Sequence, residues 1–385
     1  MLDTDFIATT PESIGLDSAR LDRLYDFVQA EVADGLPSAQ VAVGRRGKVA
    51  PVRTFGEATI AGARVPVTND TLYCLFSATK GIVGVSVWAL IEDGKLRLDE
   101  KVCEIIPEFT GHGKDAITVE QVLTFTGGFP LAPMHPRLWE DRAGRVARMA
   151  GWWLNWDPGS RYEYHPTTAH WVLVEILMRR TGLDFREYIP QRITGPMGVP
   201  DLFVGMPDEF HARAADVEYA GWVDPPGAAG GAGGSSETRL GSNRPEQRRA
   251  GSPGSGGWGG AGELALFYQR LVSLEESAGH TPLRPETIAM ATTVHTQAHH
   301  VDESSGLPAN RGLSVVVAGD HPLERGFGAH ASPRAFGHAG AGGQIAWGDP
   351  ETGLSVGFVT NGFAANDRIR DRSRTISTLA AECLL

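Results

Sequence analysis

The spacing of apolar positions predicts a helix near the start of the chain and another at its end. Over residues 16–34, apolar side chains recur every three or four positions, and Gly35 follows as a stop signal. Residues 366–385 repeat the helical spacing less strictly. We therefore predict an amphipathic first helix and a terminal helix.

Short β-branched runs lie between these two helices. Residues 38–59 are typical of an antiparallel hairpin around the turn signal Gly-Arg-Arg-Gly. Four valines are expected on one buried face of this hairpin: Val41, Val43, Val49 and Val52. Between residues 311 and 362, apolar runs separated by Gly, Asp and Pro predict consecutive strands of a meander. Strands from both ends should then join in one antiparallel sheet.

The long middle of the chain has mainly helical patterning. The predicted fold class is α/β of the α+β type, with an antiparallel sheet flanked by helices and a mainly helical lobe. Residues 1–80 and 300–385 are expected to form the sheet lobe, and residues 81–299 the helical lobe. A length of 385 residues suits two such units. The active site is expected in the cleft between them.

Glycine is unusually frequent, with 48 residues of 385, whereas about 7% is typical. Much of the excess lies in residues 224–262. This segment is predicted to be a long loop, because no periodic pattern interrupts the glycines. A flexible surface connection is the favoured interpretation, and a role in lining a substrate entrance is the alternative.

Charge and cysteine content exclude several classes of function. With 46 acidic and 35 basic residues, the net charge is −11, so a basic nucleic-acid-binding surface is not expected. No apolar stretch reaches 18 residues and no signal sequence is apparent, so we expect a cytoplasmic protein without membrane contact. The three cysteines are too scattered for a disulfide framework, and the segment HTQAHH lacks matching ligands. We expect no metal and no cofactor.

The strongest chemical signal is the segment Ser77-Ala-Thr-Lys80. An apolar run ends at Ser77 and a helical pattern follows at once. Lys80 is one turn further along the same helix face, so its amine can reach the serine hydroxyl. Serine is a poor nucleophile unless a base accepts its proton, and a desolvated lysine can be that base.

Two later segments carry further candidates. Tyr164 lies on a loop that enters a helix predicted from Thr167 to Gly182. It is either an ordinary buried aromatic residue or a proton-transferring partner of the lysine. His338 precedes a run of glycines that lets the backbone approach a ligand closely. Phe125 and Phe129 are expected to wall the pocket.

Together these segments resemble the serine β-lactamase and penicillin-binding-protein superfamily in order and approximate spacing. More narrowly, the chain is similar to the class C β-lactamase-like branch, which includes the family VIII carboxylesterases. Two motifs depart from the β-lactamase pattern. Tyr164-His165-Pro166 replaces Tyr-x-Asn, and His338-Ala-Gly340 replaces Lys-Thr-Gly. Both changes resemble the esterase branch and argue against efficient β-lactam hydrolysis.

The resemblance implies a role for each motif. Ser77 would be the nucleophile and Lys80 with Tyr164 the base pair, with the position of the proton left open because interacting sites titrate jointly. The backbone N–H groups of Ser77 and Ala341 would form the oxyanion hole. Four residues are expected to contact the substrate: His338, Gly340, Phe125 and Phe129.

The expected function is hydrolysis of small esters by a carboxylesterase. A β-lactamase, a D-aminopeptidase or amidase, and an acyltransferase are alternatives that use the same site, and a non-catalytic ligand-binding relative is a third class. No Gly-x-Ser-x-Gly segment is present, so the α/β-hydrolase arrangement is not supported. The only expected partner is a small-molecule ester, and the sequence does not predict an oligomeric state.

Overall fold

The structure is a computed structural model that describes residues 2–220 and 236–385. Its strands are β1 (Ser38–Arg45), β2 (Lys48–Val49), β3 (Arg53–Ile60), β4 (Ala63–Pro66), β5 (Tyr73–Cys74), β6 (Phe203–Val204), β7 (Glu218–Tyr219), β8 (Gly257–Gly259), β9 (Val301–Asp302), β10 (Leu307–Pro308), β11 (Val316–Val317), β12 (Phe336–Gly337), β13 (Ile345–Asp349), β14 (Leu354–Thr360) and β15 (Gly362–Phe363). Its α-helices are α1 (Ser18–Ala33), α2 (Thr79–Glu92), α3 (Val102–Ile105), α4 (Val119–Leu123), α5 (Arg142–Ala150), α6 (Thr168–Thr181), α7 (Phe185–Ile189), α8 (Ser236–Gly241), α9 (Pro245–Ala250), α10 (Ala261–Val272), α11 (Pro285–Ala291) and α12 (Asn366–Glu382).

The main sheet joins strands from the two ends of the chain. Its order is β11-β12-β13-β14-β1-β3-β4, and β2 pairs with the end of β1. Neighbouring strands are antiparallel. In the central pair, Ala39 lies opposite Thr360 and Val43 opposite Val356. The predicted meander, the terminal helix and the antiparallel sheet are therefore confirmed.

One face of the sheet is covered by α1 and α12, which pack against each other. Leu24 and Val28 of α1 and Ile376 of α12 are fully buried. They belong to one apolar cluster with Val41 and Phe358 of the sheet. The burial follows the helical spacing that predicted α1, because residues three and four apart share a helix face.

The opposite face of the sheet is covered by α10, which packs along β14, β1 and β13. At Gly357, an added Cβ would overlap the carbonyl oxygen of Ala261, so this glycine allows the start of α10 to lie directly on the sheet. The expected lobe boundary at residue 300 is therefore wrong for this segment. Helix α10 lies within the segment expected to be helical lobe, yet it packs on the sheet.

The expected common face of the hairpin valines is also wrong. Val41 and Val43 pack in the cluster beneath α1. Val49 lies opposite Gly44 in the β1–β2 pair and is part of the other core, as Val52 partly is. Successive residues of a strand point to opposite faces, so a partner of Gly44 cannot share the face of Val43.

Helix α2 lies at the centre of the helical lobe. It contacts α6, α7 and α11, and its residues from Thr79 to Leu90 are all buried. A helix that is apolar on every side is typical of a protein interior. Among the described residues, no helix has the combination of length and apolar character that crossing a membrane requires.

The prediction of a single loop over residues 224–262 is wrong for residues 236–262, and residues 224–235 lie outside the described part of the chain. Residues 236–262 contain α8, α9 and β8, and β8 is the middle strand between β5 and β6. The glycines here serve close packing. The N–H of Gly257 donates to Thr79 Oγ1 over 2.9 Å, next to the proposed nucleophile.

Gly257→Ala is expected to lower the free energy of unfolding by about 1–3 kcal/mol. The new Cβ would lie 2.6 Å from Thr79 Oγ1 and 3.2 Å from the carbonyl oxygen of Phe203, and α2 leaves no room for Thr79 to move. Urea denaturation measures the change. Gly151→Ala is the control, because its Cβ would meet only the carbonyl oxygen of Arg148 at 3.7 Å. Equal stability of both variants would contradict this account.

Candidate active site

The structure brings the three motif side chains together at the Ser77 hydroxyl. The Tyr164 hydroxyl donates to Ser77 Oγ over 2.8 Å. Lys80 Nζ lies 3.1 Å from the same oxygen. Tyr164 is 87 residues from Ser77 along the chain, so the fold and not local sequence makes this contact.

Ser77 is positioned by a tight turn between β5 and α2. A short 3-10 turn, Phe76–Ala78, connects the strand to the helix. Phe76 has a φ of 45°, an uncommon value for a residue other than glycine. Its ring packs edge-on against Phe363 at 5.0 Å, and its carbonyl accepts a hydrogen bond of 2.6 Å from Thr79 Oγ1. These contacts hold the turn and place Lys80 in the first turn of α2.

Lys80 is fully buried, and its amine has three neighbours. Nζ donates to the carbonyl oxygens of Pro166 and Gly254, each over 2.7 Å, and its third neighbour is Ser77 Oγ. Burial lowers the pKa of Lys80 well below its usual value, and the nearby Arg311 cation lowers it further. A neutral amine has two N–H donors and one lone pair. The two carbonyls match the donors, and the lone pair then points to Ser77.

Tyr164 completes the hydrogen bonding of Ser77. Burial raises the pKa of the Tyr164 phenol, although the hydrogen bond to Ser77 and the charge of Arg311 oppose the shift. The phenol is therefore protonated at neutral pH and donates to Ser77 Oγ. In the neutral form of Lys80, which burial favours, Ser77 accepts one hydrogen bond from Tyr164 and can donate one to the amine.

Tyr164→Phe is expected to lower kcat by about 10²- to 10³-fold with a smaller change in KM. The variant keeps the ring contact with Phe125 and loses only the hydroxyl that holds Ser77 and can return a proton. Steady-state kinetics on a soluble ester measures it. Tyr188→Phe is the matched control, because that buried hydroxyl has no hydrogen-bond partner in the described part of the structure. Full activity of Tyr164→Phe would rule out a proton-transfer role.

His165 and the two expected wall residues lie behind the site. His165 Nε2 accepts from the N–H of Phe129 over 3.1 Å, and its Nδ1 donates to the carbonyl oxygen of Glu163 over 2.7 Å. Burial lowers the pKa of His165 to about 3. Phe125 and Phe129 are fully buried, so the expectation that they wall the pocket is wrong. Phe125 instead packs edge-on against Tyr164 at 5.4 Å.

The loop after His338 packs directly against the segment before Ser77. An added Cβ at Gly340 would overlap the carbonyl oxygen of Leu75, so only glycine allows this approach. Gln344 Nε2 also donates to the carbonyl oxygen of Cys74 over 3.0 Å. Ala341 lines the same cavity as Ser77, and its N–H has no acceptor among the residues that are described.

His338 presents an unused acceptor near Tyr164. Its Nδ1 lies 2.8 Å from the carbonyl oxygen of Ala339, which makes Nδ1 the donor. Burial lowers the pKa of His338 well below its usual value, and Lys80 and Arg311 lower it further. The ring is therefore neutral, and Nε2 is buried without a partner in the described structure.

These groups open into a cavity of about 1040 Å³. The predicted residues that line it are Ser77, Tyr164, His338, Gly340 and Ala341. The remaining wall is mixed: Leu131, Trp139 and Trp258 are apolar, whereas Asp302 and Arg311 carry charge.

Sequence reasoning missed three contributions to the site. The carbonyl oxygens of Pro166 and Gly254 bind Lys80, and Arg311 lines the cavity. Pro166 lies in the second motif, but a motif does not reveal the use of its carbonyl oxygen, and no motif marks Gly254 or Arg311. The position of Arg311 immediately before the first meander run was the one available signal, because a charged residue there stands next to a buried strand.

The sequence matches the beta-lactamase family over residues 24–380. The chain belongs to the beta-lactamase family. Esterase EstB of Burkholderia gladioli is 29% identical over 382 residues, which cover 91% of this chain and 93% of EstB. A putative D-alanyl-D-alanine carboxypeptidase of Escherichia coli K12 is 24% identical over 384 residues, covering 92% of this chain and 85% of that protein.

A solved structure of a family VIII carboxylesterase has the same fold as this beta-lactamase family member. The two match with a TM-score of 0.81 at 24% identity, covering 96% of this chain and 99% of the other. The likeness expected from the three motifs is confirmed, and the protein is a serine hydrolase of this family. Sequence identities of 24–29% do not determine the substrate, so the substrate is inferred from the geometry of the site.

Proposed function

We propose that this beta-lactamase family member hydrolyses small carboxylic esters through an acyl-enzyme on Ser77. The observation that carries the proposal is the second motif. Pro166 has no side-chain amide, and its carbonyl oxygen is occupied by Lys80. His165 points away from the cavity. A site for amides or lactams is expected to have a side-chain amide here that hydrogen-bonds to the substrate. An ester does not need this hydrogen bond.

Acylation begins with proton transfer from Ser77. Neutral Lys80 accepts the hydroxyl proton as Oγ attacks the ester carbonyl carbon, which gives a tetrahedral oxyanion. The N–H groups of Ser77 and Ala341 would stabilise this oxyanion, and each such donor contributes about 2.7–4 kcal/mol to the transition state. The ester C–O bond then breaks as Tyr164 donates its proton to the leaving alcohol, and Lys80 returns its proton to Tyr164.

Deacylation runs the same path in reverse. A water molecule replaces the alcohol, gives its proton to the Lys80–Tyr164 pair, and attacks the acyl carbon. Collapse of the second oxyanion releases the acid and restores the Ser77 hydroxyl. A bound alcohol or amine in place of water would produce acyl transfer instead, which keeps acyltransferase activity as an alternative.

Amide hydrolysis is the second candidate function. The relative described as a putative D-alanyl-D-alanine carboxypeptidase supports a peptide substrate, and EstB supports an ester. His338 in place of a lysine removes a permanent cation from the third motif position. Arg311 is a cation elsewhere in the cavity. The loss of positive charge that argues against β-lactams therefore applies to the position of His338 alone.

A comparison of rates tests the proposal. The value of kcat/KM would be measured for p-nitrophenyl esters of increasing chain length, for a chromogenic cephalosporin and for D-alanyl p-nitroanilide. We expect faster turnover of the esters. Faster cephalosporin or anilide turnover by the wild-type protein would reverse the ranking, and the Ser77→Ala variant identifies any background hydrolysis.

A further inference from the structure

Arg311 is a buried cation inside the cavity. Its side chain is 8% exposed and lines the same space as Ser77 and Tyr164. Nε donates to the Tyr162 hydroxyl over 2.9 Å. Nη1 is buried without a hydrogen-bond acceptor among the described residues. The guanidinium thus keeps an unused donor next to the reacting groups.

Neutral groups alone hold this cation in place. The guanidinium carbon lies 5.2 Å from the ring centre of Phe125 and 5.4 Å from the ring centres of Tyr162 and Tyr164. In the part of the chain that the structure describes, no carboxylate forms an ion pair with it. No carboxylate of the described residues therefore contacts the guanidinium directly.

A buried charge of this kind is costly to retain. Burying an ion costs several kcal/mol, and proteins recover this cost through a partner of opposite charge. Arginine presents a planar fork of donors that matches a carboxylate in geometry. A carboxylate on a substrate in the cavity that Arg311 lines would balance this charge.

The acidic side chains on the cavity rim do not take this role. Glu163 and Glu303 both pair with Arg161, at 3.3 and 2.9 Å. Asp302 accepts hydrogen bonds from the N–H and the hydroxyl of Ser304, at 3.0 and 2.6 Å. Glu163 and Glu303 thus share one arginine, Asp302 accepts both of its bonds through Oδ1, and none of the three pairs with Arg311 in the described structure.

We propose that Arg311 binds a carboxylate carried by the ester, so that the preferred substrates are anionic esters such as the hemiesters of dicarboxylic acids. The kinetic test of this proposal rests on the proposed ester hydrolysis. The carboxylate can lie on the acyl side or on the alcohol side of the ester, and the two arms of the experiment distinguish them.

The experiment compares charged and neutral esters in the wild type and in Arg311→Gln. The acyl arm uses p-nitrophenyl hemiglutarate and p-nitrophenyl butyrate. The alcohol arm uses 4-acetoxybenzoate and phenyl acetate. In each arm, the loss of kcat/KM on the charged ester is divided by the loss on the neutral one. This ratio cancels any change in the pKa of Lys80, because that change affects both esters.

We expect a ratio of about 10 to 100 in one arm, the usual effect of a hydrogen bond to a charged group. Arg311→Lys should give an intermediate ratio, since it keeps the charge and loses the fork. Arg325→Gln is the matched control, because its guanidinium donates to the carbonyl oxygens of Ala318 and Pro308 and is not part of the cavity wall. Ratios near one in both arms of a folded Arg311→Gln protein would overturn the proposal.

A binding measurement covers the case in which Arg311→Gln does not fold or the wild type hydrolyses no ester. Calorimetry on the Ser77→Ala protein compares methyl hemiglutarate with methyl butyrate, and 4-acetoxybenzoate with phenyl acetate. Tighter binding of one charged ester, weakened by added salt, supports the carboxylate site even if ester hydrolysis fails. Equal affinity within both pairs would overturn it.

Discussion

Replacing Ser77 by alanine is expected to lower kcat by at least about 10⁴-fold on every substrate that the protein turns over. The variant removes the attacking oxygen and leaves the buried helix start unchanged. It also removes the oxygen that accepts the hydrogen bond of the Tyr164 hydroxyl and lies 3.1 Å from Lys80 Nζ. Burst kinetics and steady-state rates on a p-nitrophenyl ester measure the loss.

Covalent labelling gives an independent test of Ser77. A fluorophosphonate is expected to modify the wild-type protein at Ser77 and to leave Ser77→Ala unlabelled, as peptide mass spectrometry would show. Ser86→Ala is the matched control, since Ser86 lies on α2, which begins two residues after Ser77, and donates to the carbonyl oxygen of Ile82 over 2.9 Å. Its activity and labelling should equal those of the wild type. Labelling at another serine would refute the mechanism.

Replacing Lys80 by methionine is expected to lower kcat/KM by about 10³- to 10⁴-fold, because Ser77 then has no base within reach. Lys80→Arg should be equally inactive. An arginine has a similar length but is permanently protonated, so it cannot accept the serine proton. Recovery of activity in Lys80→Arg would mean that the lysine acts as a cation and not as a base.

The pH dependence of kcat/KM tests whether Lys80 is the group that must lose its proton for activity. Burial and Arg311 lower the pKa of Lys80, so the neutral amine persists to a lower pH than in a free lysine. Activity should rise with pH through this lowered pKa, and the residual activity of Lys80→Met should lack that rise. In Arg311→Gln, one of the two causes is removed, and the rise should move to higher pH. An unchanged profile in Lys80→Met would exclude the lysine as the titrating group.

The sequence predicted the parts of the fold and site that short stretches of chain encode. The spacing of Leu24 and Val28 is enough to find α1. The separation of Ser77 from Lys80 is enough to bring the amine to the hydroxyl, although Ser77 lies in the 3-10 turn before α2. Tyr164 and His338 were recognised through local motifs. In each case the information lies within a few residues.

The remaining features depend on contacts between distant segments. Gly254 binds Lys80 from 174 residues away, and Tyr162 contacts Arg311 across 149 residues. Periodicity carries no signal for such pairs. The face of Val49 was mispredicted for a related reason, because the register of a strand only two residues long is set by its partner. Phe125 and Phe129 follow an apolar pattern that does not distinguish a pocket wall from the layer behind it.

The link between Lys80 and the carbonyl oxygen of Gly254 has a consequence for mutational libraries. The segment from Gly251 to Gly260 has the composition of a linker, and a design based on composition would randomise it freely. Its backbone nevertheless holds the amine of Lys80 in place. A Cβ at Gly251 or Gly256 would overlap backbone atoms, and a Cβ at Gly257 would overlap the side chain of Thr79. Libraries that seek a new substrate range should therefore vary Leu131 and Trp139 and keep this glycine segment constant.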